Sequence, residues 1–424
     1  MKNNYLLIKL LPVLILIAAI GGCNDEPSIV GYSFIPDTIS IYGISSRTEK
    51  IISGAQSKFV QEQINNHGSI LIGRNGAAIA VSSVRLAYIP DSLSWLKPDD
   101  IVSADLILVP LRFALGDTSG SNFLAFDIYN TLRLYDYNIS YDSIFPPSGA
   151  DPHYIDYSKV IGSYEGQIEL KDTNTAISIS IDKQTVSKWL AARPDSIIKY
   201  QNYGMTLVPR AGSTVIRQFL AQEVGVNVDT TFPYEPDLNM PYLYLKYKYP
   251  NGDAGEVKIR SGLDQSFISV PKPDNDNLYM QAAVSYEIEI TFDLSAIPGL
   301  SSVHKAQLEL TVNRDKCVLG NFPLDTVLDG LIMGKNIYRS DITINTFLGE
   351  LSGDKYIFND FSLFDAFQRW VKYGEKGRII IRQYYNTRVK TTKKIAIYGL
   401  NAPDSSLMPV LKLIYSSRPK IQCK

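Results

Sequence analysis

Carboxylates are the first residues that could do chemistry. Asp99 and Asp100, Asp274 and Asp276, and Asp354 and Asp360 form close acidic pairs. Two carboxylates facing one cleft would supply the acid and the base or nucleophile of a glycosidase. All three pairs fall in turn-like sequence, which reads as solvated turns. Pro273-Asp274-Asn275-Asp276-Asn277 is rich in oxygen ligands for Ca²⁺, yet lacks the glycine and distant glutamate of an EF-hand loop. His67, His153 and His304 are too far apart for a paired metal motif. Cys23, Cys317 and Cys423 include no CxxC. GxSxG, the P-loop and a GxGxxG between strand and helix are absent. The expectation is a non-enzymatic protein with no cofactor and no metal.

Aromatic residues are the second group. Tyrosine is the unusual count, at 27 against 16 Phe and 3 Trp, and it favours strands and half-exposed sheet faces. Trp189 and Trp370 fall on apolar helical faces and read as core plugs. Trp95 lies between strands and is the better candidate for an exposed ring. Tyr135 and Tyr137, in a tyrosine-rich loop, and Tyr384 and Tyr385 are further stacking candidates. Net charge is −1, and a nucleic-acid binder would need a basic face. The basic cluster from Arg388 to Lys394 reads as solvated strand ends and a turn.

The elements that must hold these residues are strands. Met408-Pro409-Val410-Leu411-Lys412-Leu413-Ile414-Tyr415 repeats the pattern of Met240-Pro241-Tyr242-Leu243-Tyr244-Leu245-Lys246-Tyr247. Alternation after the proline predicts a strand with one buried face, and proline at the first position gives up a ladder donor where least is lost. Other landmarks pair in the same order. Ala104, Leu106 and Leu108 match Ala306, Leu308 and Leu310; Trp189 matches Trp370; Gly204 matches Gly377. The offsets shrink steadily from 202 to 168 residues, as loops drift between duplicated units. Short helices are expected at 182–190, capped by Asp182, and at 361–371. The chain reads as all-β: two tandem β-sandwich, jelly-roll-like domains, each with one short helix. The first spans 69–250 and the second 256–416, with a tail at 417–424. Residues 29–68 read as a lead-in donating one or two strands to the first domain. Residues 250–255 are turn chemistry, either a short linker between abutting domains or a hairpin turn.

Residues 1–22 read as a signal peptide: Lys2 and Lys9 are followed by an apolar run from 10 to 20. Ile20-Gly21-Gly22-Cys23 resembles the lipobox of bacterial lipoproteins. That resemblance implies cleavage before Cys23 and acylation (palmitate-type chains) of its thiol and new amine, anchoring the chain to a lipid bilayer. Asn24-Asp25-Glu26-Pro27-Ser28 reads as a polar tether and resembles the acidic export signals of Bacteroidetes surface lipoproteins.

Phe292-Asp293-Leu294-Ser295-Ala296-Ile297-Pro298, then Val303, Ala306, Leu308 and Leu310, then Trp370, Gly377 and Pro409, resemble the DNRLRE-type β-sandwich domains of secreted bacterial proteins. Those domains are grouped with carbohydrate-binding modules. The resemblance covers about 256–416 and more loosely 69–249. All its matched positions are framework, so it implies sugar binding without transferring a binding residue. Size and layout also resemble large Bacteroidetes surface lipoproteins. The functional expectation is an outer-membrane lipoprotein of the cell envelope, displayed at the surface, that binds a polysaccharide or other surface polymer. The alternative is a structural or adhesive component whose partner is a surface protein.

Overall fold

The computed structural model describes residues 39–60, 64–65, 67–87, 89–117, 122–136, 139–170, 175–191, 202–223, 240–284, 286–335 and 340–417. Cys23, Tyr137 and Cys423 lie outside the described residues. Among those residues the chain is all-β, with antiparallel pairing throughout, two sheets of 12 and 11 strands, and a few short helices. No helix of the described residues is long and apolar enough to cross a membrane.

Each sheet folds over to make two layers around its own core, and the layers follow one strand order. In the first sandwich one layer runs Ile177–Ser180, Ile101–Leu108, Tyr242–Lys248, then the first half of Ala254–Ser269. The other runs from the second half of Ala254–Ser269 through Ala78–Leu86, Met205–Pro209 and Leu124–Thr131 to Ile155–Gly166. In the second sandwich the corresponding layers are Lys355–Phe358, Ser302–Thr311, Val410–Ser417 and Ser40–Ser45, then Ile52–Phe59, Tyr286–Phe292, Gly377–Gln383, Val327–Lys335 and Asp341–Ser352.

The alternation read from the sequence fixes which faces turn inward. Ala104, Leu106 and Leu108 are buried in the first core, and Ala306, Leu308 and Leu310 in the second. Helix Lys183–Ala191 forms where Asp182 accepts from the Thr185 amide at 2.9 Å. It turns Val186, Trp189 and Leu190 into the core. Helix Phe361–Tyr373 starts where Asp360 accepts from the Ser362 amide at 2.7 Å and ends at Gly374, whose φ of 64° suits glycine. Its Trp370 lies across Gly377, where an added Cβ would stand 2.4 Å from the ring. Both tryptophans are core plugs, as their spacing indicates.

The pairing of the first strands differs from the sequence expectation. Ser40–Ser45 and Ile52–Phe59 pair with Val410–Ser417 and Tyr286–Phe292, so they belong to the second sandwich rather than the first. Conversely, residues 256–269 stay with the first sandwich, paired to Tyr242–Lys248 and Ala78–Leu86. Residues 250–253 are accordingly a hairpin turn, closed by the Tyr249 amide donating to the Asp253 carbonyl at 2.8 Å. The physical reason is that alternation specifies a strand's buried face but not the sheet that receives it.

The two sandwiches touch through a polar clasp and an apolar seam. The Asn321 side chain accepts from the Ala114 amide (2.8 Å) and donates to the Arg112 carbonyl (2.7 Å). Phe322 packs edge-on against Phe113.

Candidate functional site

Most of the chemistry-bearing residues singled out in the sequence have structural employment. Asp100 accepts from the Lys97 amide at 3.0 Å in a tight turn. Asp354 pairs with Arg314 at 2.6 Å, and Asp360 caps its helix. Asp274 accepts the Tyr279 hydroxyl at 2.8 Å, which holds its carboxyl below the ordinary range. Among the described residues Cys317 is a free thiol; its sulfur accepts from the Ala396 amide at 3.3 Å, and burial pushes its pKa up. Among the described residues no group of three or more His, Cys, Asp or Glu is placed to hold a metal.

The aromatic candidates do not gather in one place. Trp95 is half-buried, stacked on Tyr249 at 6.0 Å and edge-on to Tyr247 at 6.3 Å, so it closes one end of the first core. Tyr135 is 9% exposed, which corrects its reading as a surface ring. It stacks on Tyr154 at 5.2 Å, and its hydroxyl is hydrogen-bonded to the Thr206 hydroxyl at 2.8 Å. An apolar wall from Phe267 and a polar partner for the hydroxyl let the whole side chain sink inward. Tyr384 and Tyr385 are each 45% exposed and stay at the surface. The Tyr385 hydroxyl meets His67 Nδ1 at 3.0 Å, tying the second sandwich to the first.

Tyr384 stands at the rim of a recess of about 370 Å³ lined also by Asp325, Thr326, Val327, Leu348 and Thr387. The strand Gly377–Gln383 runs directly into Tyr384, which precedes helix Tyr385–Lys390. That short helix carries Thr387 to the recess. Leu348 comes from strand Asp341–Ser352 and is half exposed. Asp325 comes from the segment before Val327–Lys335 and is held three ways. Its backbone carbonyl accepts the Tyr356 hydroxyl at 2.6 Å. Its Oδ1 accepts from Lys393 Nζ and from the Thr387 hydroxyl, the latter at 3.3 Å. The Lys393 and Asp325 side chains are only 3% and 9% exposed. Asp325 Oδ2 is buried with no hydrogen-bond partner among the described residues.

The surroundings of this pair are charged and enclosed. Arg382 lies 3.7 Å from Glu287 and 3.9 Å from Asp329. Burial pushes the Asp329 carboxyl above its ordinary range, against the pull of Arg382 and Arg388. Burial, with the Asp325 charge beside it, also pushes the Tyr356 hydroxyl far up. Arg388 and Lys393 are buried, which corrects the reading of the 388–394 cluster as solvated. Their charges balance carboxylates that lie far away in sequence and close in space.

The sequence reading named Tyr384 as a stacking candidate and did not name Asp325, Thr387 or Leu348. Nothing in Leu324-Asp325-Thr326 distinguishes it from an ordinary turn. The arrangement offers a ring face, an apolar shoulder and the Thr387 hydroxyl, which together suit a ligand carrying both hydroxyls and C–H faces. A second hollow of about 650 Å³ borders helix Lys183–Ala191, where Lys159 pairs with Asp182 at 2.8 Å.

No family model matches the chain, and no curated protein matches it. Among solved structures, a protein described as secreted from Parabacteroides distasonis aligns at 9% identity over 90% of this chain and 91% of its own, with a TM-score of 0.15. An infectious bursal disease virus structure aligns at 11% identity over 91% and 79%, with a TM-score of 0.14. A Macrobrachium rosenbergii nodavirus structure aligns at 10% identity over 89% and 90%, with a TM-score of 0.13. At these scores the likenesses carry neither a shared fold nor a function.

Proposed function

We propose that this chain is a bacterial cell-envelope lipoprotein, held in the outer membrane through acylated Cys23 and displayed at the cell surface. Its role is non-enzymatic binding of a glycan or related surface polymer. The lipobox-like Ile20-Gly21-Gly22-Cys23 supports the anchor, and the DNRLRE-type framework residues support a carbohydrate-binding kind of sandwich. The observation that carries the binding reading is the half-exposed Tyr384 ring over the Asp325 recess. A sugar ring can lay its C–H face on tyrosine, while its hydroxyls can hydrogen-bond the partly exposed Thr387 side chain in the same recess.

The experiment is a glycan array probed with the soluble 24–424 fragment and its Tyr384→Ala variant. Binding that Tyr384→Ala abolishes supports the reading. Absence of binding to every glycan turns the weight to the second reading, a protein partner. That reading is favoured by strand Ser40–Ser45, which among the described residues pairs on one side only and exposes Ile41 at 73%. Such an edge can accept a strand from another protein. The anchor is tested by Cys23→Ala: continued membrane attachment with the mass of an unacylated chain refutes it.

A further inference from the structure

The two sandwiches share a strand order but not a chain order. In the second, Ser40–Ser45 lies on the closing strand Val410–Ser417, and Ile52–Phe59 on Tyr286–Phe292. In the first, those two places are taken by the halves of the single strand Ala254–Ser269, on Tyr242–Lys248 and Ala78–Leu86. The registers agree. Laying the closing motifs together sets Lys412 on Tyr244, and their partners, Ser45 and Lys258, coincide. Laying Arg378 on Met205 sets Thr291 on Val84, and their partners, Gly54 and Asp264, coincide. The break coincides as well. The first sandwich bends at a bulge between Ser261 and Leu263, where a Cβ on Gly262 would meet the Ala87 Cβ at 2.0 Å. The second has a turn there, in which Thr48 and Glu49 donate to the Ser45 carbonyl at 3.0 Å.

We infer that the two repeats have exchanged their leading strand pairs, so that the N-terminal strands complete the C-terminal sandwich. The pair preceding the first repeat, 40–59, finishes the second; the pair preceding the second, 254–269, finishes the first. The exchanged pair is part of the core it joins. Ile51 and Ile52 are buried among Phe292, Leu294 and Ile297. Ile52–Phe59 also flanks Tyr286–Phe292, which in turn flanks Gly377–Gln383, the strand that ends at Tyr384. The strand pair nearest the N-terminus therefore supports the strand that carries the recess. This part alone rests on the binding reading; the exchange itself does not.

Cysteine cross-linking in the full chain tests the exchange. Gly43 and Ile414 are register partners, and both are exposed. Lys246 is the residue equivalent to Ile414 in the first closing strand, where its partner is Glu256. The Gly43→Cys, Ile414→Cys variant should form a disulfide within one chain, read by non-reducing peptide mass mapping. Gly43→Cys with Lys246→Cys should not. Lys248→Cys with Ala254→Cys, register partners across the hairpin, is the reference pair. A 43–246 link overturns the exchange, as does a 43–414 link found only between two chains, or its absence where the reference pair forms. A crossed exchange measurement reads the same point. Ile52→Asp should speed amide exchange in Tyr286–Phe292 and Gly377–Gln383 more than tenfold while sparing Ala78–Leu86, and Phe267→Asp should do the reverse. Loss of protection in the unexchanged places overturns the inference. A Tyr384-dependent ligand lost in Ile52→Asp but kept in Phe267→Asp would extend it to the recess; loss in both, with the cross-link intact, refutes only that extension.

Discussion

Replacing Lys393 with methionine isolates the buried pair under the recess. The Lys393 ammonium and Asp325 carboxylate are both almost fully enclosed, and each is the other's only opposite charge within salt-bridge reach among the described residues. Methionine fills similar volume, so the packing loss is small, and the main effect is a carboxylate left with the Thr387 hydroxyl at 3.3 Å as its remaining side-chain donor. Breaking one side of a buried pair costs about 3–5 kcal/mol. For a domain of this size each kcal/mol moves the midpoint by about 2–4 °C, so the second sandwich should melt roughly 6–20 °C lower. Asp325→Leu alone strands the lysine and should cost a similar amount. The double variant Lys393→Met, Asp325→Leu removes both charges and should recover most of the loss, because an apolar replacement of a buried pair is often neutral or stabilising. Differential scanning calorimetry of the four proteins closes the cycle. A Lys393→Met loss under about 1 kcal/mol would mean that water reaches the pair freely, as at surface ion pairs, and would refute the enclosed-pair account.

Three further outcomes rest on packing and charge. Gly377→Ala places a methyl 2.4 Å from the Trp370 ring and should destabilise by about 1–3 kcal/mol in denaturant titration; an unchanged midpoint refutes the close approach. Asp329→Asn should raise stability at neutral pH. The folded pKa of Asp329 is raised, so the native state loses stability as pH climbs from the unfolded carboxyl pKa of about 3.9 through the folded value. The gain of the variant should therefore fade as pH falls below that window, and a gain that persists in acid refutes the cause. Tyr247, pushed up to about 12 by burial and its hydrogen bond to Tyr249, contributes stability below the ordinary tyrosine pKa of about 10 that is lost as pH rises through 12. Phenolate absorbance should show this group titrating late, together with a change in Trp95 fluorescence; titration at the ordinary value refutes its burial.

Framework was legible in the sequence because one local pattern reports it. Alternation placed Leu106, Leu308, Leu243 and Leu411 on inner faces, and all four are buried. The helix spacing that joins Val186 to Trp189, and the cap at Asp182, also needed only neighbours in the chain. Side chains whose setting depends on distant residues were not legible. Tyr135 is buried by Phe267 and Thr206, and Arg388 and Lys393 sit among carboxylates from other strands. The recess has the same character: Tyr384 shows in the sequence as an aromatic pair with Tyr385, but Asp325 and Leu348 reach it from two other segments.

The exchanged strands show the limit most sharply. Residues 40–59 and 254–269 both carry strand patterns, and both stand directly before a repeat, so contiguity assigns each pair to the repeat on its C-terminal side. Energy assigns them otherwise. A leading strand must find an open edge beside a closing strand, and the two closing strands share the pattern Pro-x-Leu-x-Leu-x-Tyr. Either edge accepts either pair by backbone hydrogen bonding, so the choice falls to loop length. Residues 254–260 come after the first closing strand and a hairpin turn of a few residues, a closure with little entropic cost. Once 254–269 has taken that edge, the equivalent edge left for 40–59 is Val410–Ser417. The first sandwich is then complete within a continuous segment, 64–269, and the second can close only when the C-terminal strand is made and the N-terminal pair returns to it. Folding should accordingly proceed from the first sandwich to the second, and the N-terminal strands should be the last to gain protection. Pulsed hydrogen exchange during refolding decides this: early protection of Ser40–Ser45, ahead of Tyr242–Lys248, would show that contact order does not select the pairing.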